Sequence, residues 1–269
     1  MQDIALIIST TLMYSTPLIF AALGGVFSEN SGIVNIGIEG MMTIGAFAGA
    51  AAGYMLGNPW LAFIIGGLAG GLFALVHALA TVTFNADHTI SGVAINLLAP
   101  GVALFASKIM FDGATMTPTI PMEQKIPRPL NGLFPSGSIL DTIFNAYATV
   151  FIAFILVAVT WYVLYKTKFG LRIRAVGEHP GAADTLGISV AKTRYAAVII
   201  SGILAGLGGA SMSLAVVSSF RPTLISGHGY IAMAAVIFGK WRPQWAMAAC
   251  LLFGFSTALS VYFGNPELP

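Results

Sequence analysis

Charge is what this chain has least of. Only 8% of its 269 residues are Asp, Glu, Lys or Arg, where a soluble domain carries about a quarter. A water-soluble fold this apolar would have too little polar surface to cover its core, so a soluble globular class is excluded. Cysteine is reduced to Cys250, which excludes an internal disulfide and a thiolate metal cluster. The four histidines, His77, His88, His179 and His228, are scattered over different segments, so no metal site and no cofactor is expected. HExxH, GxSxG and GxxxxGK[ST] are all missing, so the chain is read as not an enzyme and as unable to hydrolyse ATP itself. Carboxylates within the apolar runs come down almost to Glu39 alone, too few for an ion-coupled pump or proton relay. A net charge of +2 with no basic stripe along a helix gives no case for nucleic acid.

What is present is hydrophobic length. Mean hydropathy is +0.87 and 57% of residues are hydrophobic. Several runs exceed the roughly 18 to 20 apolar residues that cross a bilayer. The pattern predicts an all-α polytopic membrane bundle with about seven full spans plus a short broken segment. The spans are read over 4–27, up to Leu56, 60–84, 89–111, 142–165, 195–218 and 245–263. Residues 1–3 carry no basic leader, so the first run is retained as a span. The apolar part of 230–238 is too short for an ordinary span and is read as a broken or partly unwound element.

Six of the twelve Lys and Arg residues fall between Lys166 and Arg194. A basic island between apolar runs reads as a cytoplasmic loop. Alternating outward from it places the proline-rich stretch 112–141 outside, with eight basic residues inside and four outside. Small residues interrupt the island, a pattern suited to a short helix that another protein approaches closely. A topology signal alone is the other reading of the same composition.

Polar residues inside the spans are few. Asn30 or Ser31 is positioned to cap a helix running to about Leu56. Within that helix Asn35 and Glu39 are spaced i, i+4 and share a face. A charged residue at a span centre costs roughly 2.5–3.5 kcal/mol, so Glu39 is expected against protein or water. With Asn35 and Asn96 it is a candidate for a translocation path. Bonding to a neighbouring helix end, holding a broken segment in place, is the structural alternative. Asn96 alone also reads as interhelical glue. Gly45/Gly49/Gly53, Gly66/Gly70 and Gly202/Gly206/Gly209 are expected to form close-packing ridges.

Four stretches in order, SENSGIVNIGIEGMMTIGAF, TISGVAINLL, FGLRIRAVGEHPGAADTLGIS and GYIAMAAVIFGKWRP, resemble the permease subunits of bacterial ABC importers. The branch is the one serving branched-chain amino acids, simple sugars and nucleosides, and NIGIEGMM and VIFGKWRP are most similar to the nucleoside permeases. The resemblance implies a single permease transmembrane domain over 1–269 in the bacterial plasma membrane. It also implies a cytoplasmic ABC ATPase, a second permease subunit of different sequence, an extracytoplasmic solute-binding protein, surrounding lipid, and a small polar cargo, nucleosides first. A same-fold permease for ribose or another simple sugar is the alternative, and an ion-coupled carrier or channel the rival from another class. Glu178, Ala182, Ala183, Gly187 and Ile188 resemble the loop that seats a coupling helix in the ATPase. Relatives continue through at least one more span and a basic tail, so a C-terminal truncation is expected.

Overall fold

The computed structural model describes residues 2–135 and 138–264. Among these residues the fold is helical throughout. Six helices are long and apolar enough to cross a membrane: α1 (Gln2–Asn30), α3 (Pro59–Ala78, prolonged by a π-turn to Thr83), α4 (His88–Met110), α6 (Ala148–Lys166), α9 (Val190–Ser211, with a π-turn to Val216) and α11 (Pro243–Phe263). Between them lie α2 (Ile38–Leu56), the short α5 (Ile139–Phe144), α7 (Lys168–Glu178) and α8 (Pro180–Thr185), and the 11-residue α10 (His228–Phe238). The protein is thus a polytopic helical membrane bundle with a short apolar element before its last span. The expectation about the C-terminal end falls on residues 265–269, outside the described residues.

The hub is α9, which packs on α1, α2 and α3, and glycine makes that possible. A Cβ on Gly24 of α1 would lie 2.5 Å from the Ser201 carbonyl oxygen, and one on Gly66 of α3 would lie 2.6 Å from the Ala210 Cβ. Gly45, Gly49 and Gly53 of α2 face Gly206, Ala210 and Leu214 in turn, so α2 runs parallel to α9. Gly66 and Gly70 of α3 meet Ala210 and Gly202 in reverse order, so α3 runs antiparallel. Backbones this close gain dispersion contacts that lipid cannot match, which is how helices associate without a hydrophobic drive.

The second helix departs from the sequence reading. It starts at Ile38 rather than near Ser31, because residues 28–30 end α1 and 31–33 turn back onto that end. Gly32 takes φ +85°, and the N–H groups of Ser31, Gly32 and Ile33 turn back to the carbonyls of Ser28 and Glu29. The Asn30 side chain donates to the Val26 carbonyl and the Ser31 hydroxyl to that of Ser28. Both therefore finish α1 and neither caps α2. Asn35 consequently lies in a non-helical stretch, and Glu39 is the second residue of α2 rather than two turns into it. The two do not share a helix face.

Candidate functional site

Where the chain re-enters after Gly32, it runs along α9 instead of leaving the bundle. Asn35, fully buried, donates through Nδ2 to the Ser201 hydroxyl at 2.9 Å. Ser201 is eleven residues along α9 from Val190, about 16 Å at the helical rise. So α2 begins about half-way along α9, not at the end of the bundle.

A second helix begins beside it. After α9 the chain turns back through 217–227, and α10 starts at Gly227, whose φ is +96°. Gly25 of α1 touches both Ile38 of α2 and Val236 of α10, so all three elements meet at this level. Two helix starts in a bundle interior leave their first N–H groups without partners, and lipid offers none.

Each start is satisfied from across the fold. The Glu39 carboxylate accepts from the N–H of Gly227 at 2.6 Å and of Gly229 at 2.7 Å, one oxygen to each. The anion also faces the positive end of the α10 dipole. Gly229 must be glycine here, since a Cβ would come within 2.5 Å of the Glu39 Cα. The start of α2 has no side-chain cap of its own. Asn96 of α4 provides one, accepting from the Gly40 N–H at 2.8 Å while donating to the Ile36 carbonyl and the Tyr230 hydroxyl, both at 2.9 Å. Glu39 and Asn96 are half-buried, whereas the Tyr230 side chain is 48% exposed. The result is a polar strip on the outer wall of an otherwise apolar bundle, carried by two interrupted helices.

Of the three path candidates, the structure brings Glu39 and Asn96 into this strip. Asn35 lies behind it, with Oδ1 unpartnered and buried. Gly227 and Gly229 read from the sequence as a turn at an element boundary, which is where α10 starts, but neither their bonds to Glu39 nor Tyr230 was singled out. The signal available was SGHG before a run too short to span, which marks a helix start without saying where its N–H groups go.

The basic island folds into α7 and α8. Two of its cations serve the fold. Arg174 donates to the Leu164 carbonyl in the last turn of α6 and covers the Tyr165 ring at 4.9 Å, and Arg194 donates to the Ser31 carbonyl. Gly177 is pressed against the Asn30 carbonyl at the end of α1. Beside this contact a cavity of about 530 Å³ lies between Glu29, Asn30, Arg174, Glu178, Lys240 and Trp241, with the Trp241 indole donating to Glu29.

The five coupling candidates divide by exposure. Glu178, Ala182 and Gly187 are exposed, Ile188 is half-buried, and Ala183 is buried against the bundle. Gly187 sits at φ +76°, with its N–H on the Asp184 carbonyl and that of Ile188 on the Ala183 carbonyl. That is the left-handed glycine termination of a helix, so its type is set by backbone geometry as well as by small size. Next to it Leu186 is 80% exposed at the tip, an apolar side chain that sequence reasoning passed over.

The model of the family described as branched-chain amino acid transport system / permease component matches residues 7–269. The chain is 47% identical to the guanosine ABC transporter permease protein NupQ of Bacillus subtilis, over 97% of this chain and 83% of that protein. It is 43% identical to the nucleoside ABC transporter permease protein NupC of Lactococcus lactis, over 98% and 84%. A putative glucose ABC transporter permease protein of Haloferax volcanii is 37% identical, over 95% and 77%. No solved structure matches significantly.

Proposed function

This chain belongs to the branched-chain amino acid transport system / permease component family, and from that premise we propose that it forms part of the translocation pathway of an ATP-driven importer for nucleosides. It is a multi-pass protein of the bacterial plasma membrane. The observation carrying the nucleoside reading is the 47% and 43% identity to a guanosine and a nucleoside permease protein along almost the whole chain.

The power comes from a partner. A cytoplasmic ABC ATPase docks on the α7–α8 loop, with Leu186 as an apolar contact and Ala182 beside it. The basic face is accordingly cytoplasmic, which agrees with the concentration of Lys and Arg there. A second permease subunit of different sequence completes the circumference of the pathway, and an extracytoplasmic binding protein delivers cargo. In this reading the Asn96–Tyr230 pair faces the pathway, offering an amide and an aromatic edge to a base or ribose in passing. Glu39 holds the element that carries Tyr230, and Asn35 fixes the turn behind it.

A sugar cargo is the second reading, favoured by the 37% identity to the putative glucose permease protein. The two separate in one experiment. A host lacking its own nucleoside uptake expresses the chain with its ATPase, second permease and binding protein, and takes up labelled guanosine in the presence of unlabelled competitors. Nucleosides should compete and ribose or glucose should not. Uptake of labelled ribose or glucose by the same cells with no uptake of guanosine would reverse the assignment.

A further inference from the structure

Beyond the transport pathway, we propose that the cleft between α6, α10 and α11 on the basic face is a binding site for an anionic phospholipid. Two hollows share Arg242 and Trp245. One, of about 490 Å³, is walled by Trp161 at the end of α6. The other, of about 750 Å³, runs from Lys240 along Phe238 to Leu252 of α11. Among the described residues no acidic side chain lines either hollow, and neither α6 nor α11 contains Asp or Glu. Among the described residues neither the Arg242 guanidinium nor the Lys240 ammonium has a hydrogen-bond or ion-pair partner, whereas Lys166, Arg174 and Arg194 on the same face are engaged.

The shape matches a lipid divided at its headgroup. Arg242 and Lys240 stand at the polar end, where a phosphodiester would neutralise them. Trp161 and Trp245 flank that end as interfacial anchors. Phe238 and Leu252, 75% and 63% exposed, continue it as an apolar trough for an acyl chain. Exposed apolar residues alone would suit any lipid. The unpaired cations make the site selective for the anionic kind, since basic pockets between membrane helices at headgroup level bind anionic headgroups. The backbone holds them in place at some cost. Lys240 and Trp241 both have positive φ, +48° and +57°, and the Lys240 and Trp241 N–H groups close the end of α10 on Ile237 and Val236. A left-handed lysine where glycine would be relaxed is a strained turn, and it fixes where both cations emerge.

The test asks what covers Trp245. The full chain, with photoreactive benzoylphenylalanine replacing Trp245, is assembled with its ATPase and second permease. It is then reconstituted into vesicles of equal parts phosphatidylglycerol and phosphatidylcholine, and adducts are identified by mass spectrometry. Phosphatidylglycerol adducts should outnumber phosphatidylcholine adducts about fivefold. Arg242→Gln should lower the ratio and Arg242→Gln with Lys240→Gln should bring it close to one, while Arg242→Lys, which keeps the charge, should retain the preference. Excess inorganic phosphate should leave it unchanged. Equal adducts in the parent protein, an unchanged ratio in Arg242→Gln, loss of preference in Arg242→Lys, erasure by free phosphate, or adducts with a protein partner would each overturn the proposal.

Discussion

The Glu39 carboxylate lies 2.7 Å from the backbone N–H of Gly229, 190 residues further along the chain. One side chain at the start of α2 thereby fixes the start of α10. Glu39→Ala leaves two interior N–H groups without a partner, which costs about 1–3 kcal/mol for each left fully unsatisfied. The expected outcome is a protein that still inserts, unfolds at lower temperature in detergent and loses most uptake. Glu39→Gln keeps a single amide oxygen for one of the two N–H groups and should fall between. Wild-type stability in Glu39→Ala would show that α10 is held by packing alone.

Small size is a requirement at the α9 contacts and not at open positions of the same bundle. Gly66→Ala drives a methyl to about 2.6 Å from the Ala210 Cβ, well inside van der Waals contact, and such overpacking costs typically 1–3 kcal/mol. Gly101→Ala, in the same bundle but open on its Cβ side, should be neutral or slightly stabilising. Thermal unfolding of both, side by side, checks the ridge assignment. Equal melting temperatures would dismiss it.

Sidedness is read by cysteine labelling in a Cys250→Ala background, the native thiol being fully buried. Gly181→Cys has open space around it and should react only from the cytoplasm. Leu133→Cys, at a position 67% exposed in the proline-rich loop, should react only from outside. Labelling of both from one side would invert or break the topology.

For the ATPase contact, Leu186→Asp and Ala182→Arg should leave the chain in the membrane but abolish co-purification with the ATPase. Gly187→Ala should act more weakly, since its penalty is the left-handed backbone, about 1 kcal/mol, with open space at its Cβ. Full co-purification in Leu186→Asp would move the contact elsewhere.

Much of this was legible in the residues. Periodic glycines announced the α9 ridges because a missing side chain has one use at four-residue spacing in an apolar run. The short run 230–238 announced a broken element by its length alone. The start of α2 was not legible. SENSGIVN reads equally as the end of one helix or the cap of the next, and only the turn of Ser31 and Ile33 back onto Ser28 decides between them. Nor was the partner of Glu39, because backbone N–H groups carry no sequence mark and Gly229 lies far along the chain. Asn96 was legible as glue, but its three partners, Gly40, Ile36 and Tyr230, exist only once two interrupted helices meet.

The central claim is that a nucleoside crosses through this chain at the cost of ATP hydrolysed by its partner. The most direct measurement is labelled guanosine uptake into proteoliposomes containing the chain, its ATPase, the second permease and the binding protein, with ATP supplied on the basic face. Accumulation should require ATP, stop with an inactive ATPase and be lost in Glu39→Ala. Guanosine accumulation that proceeds without ATP, driven by an ion gradient, would contradict it.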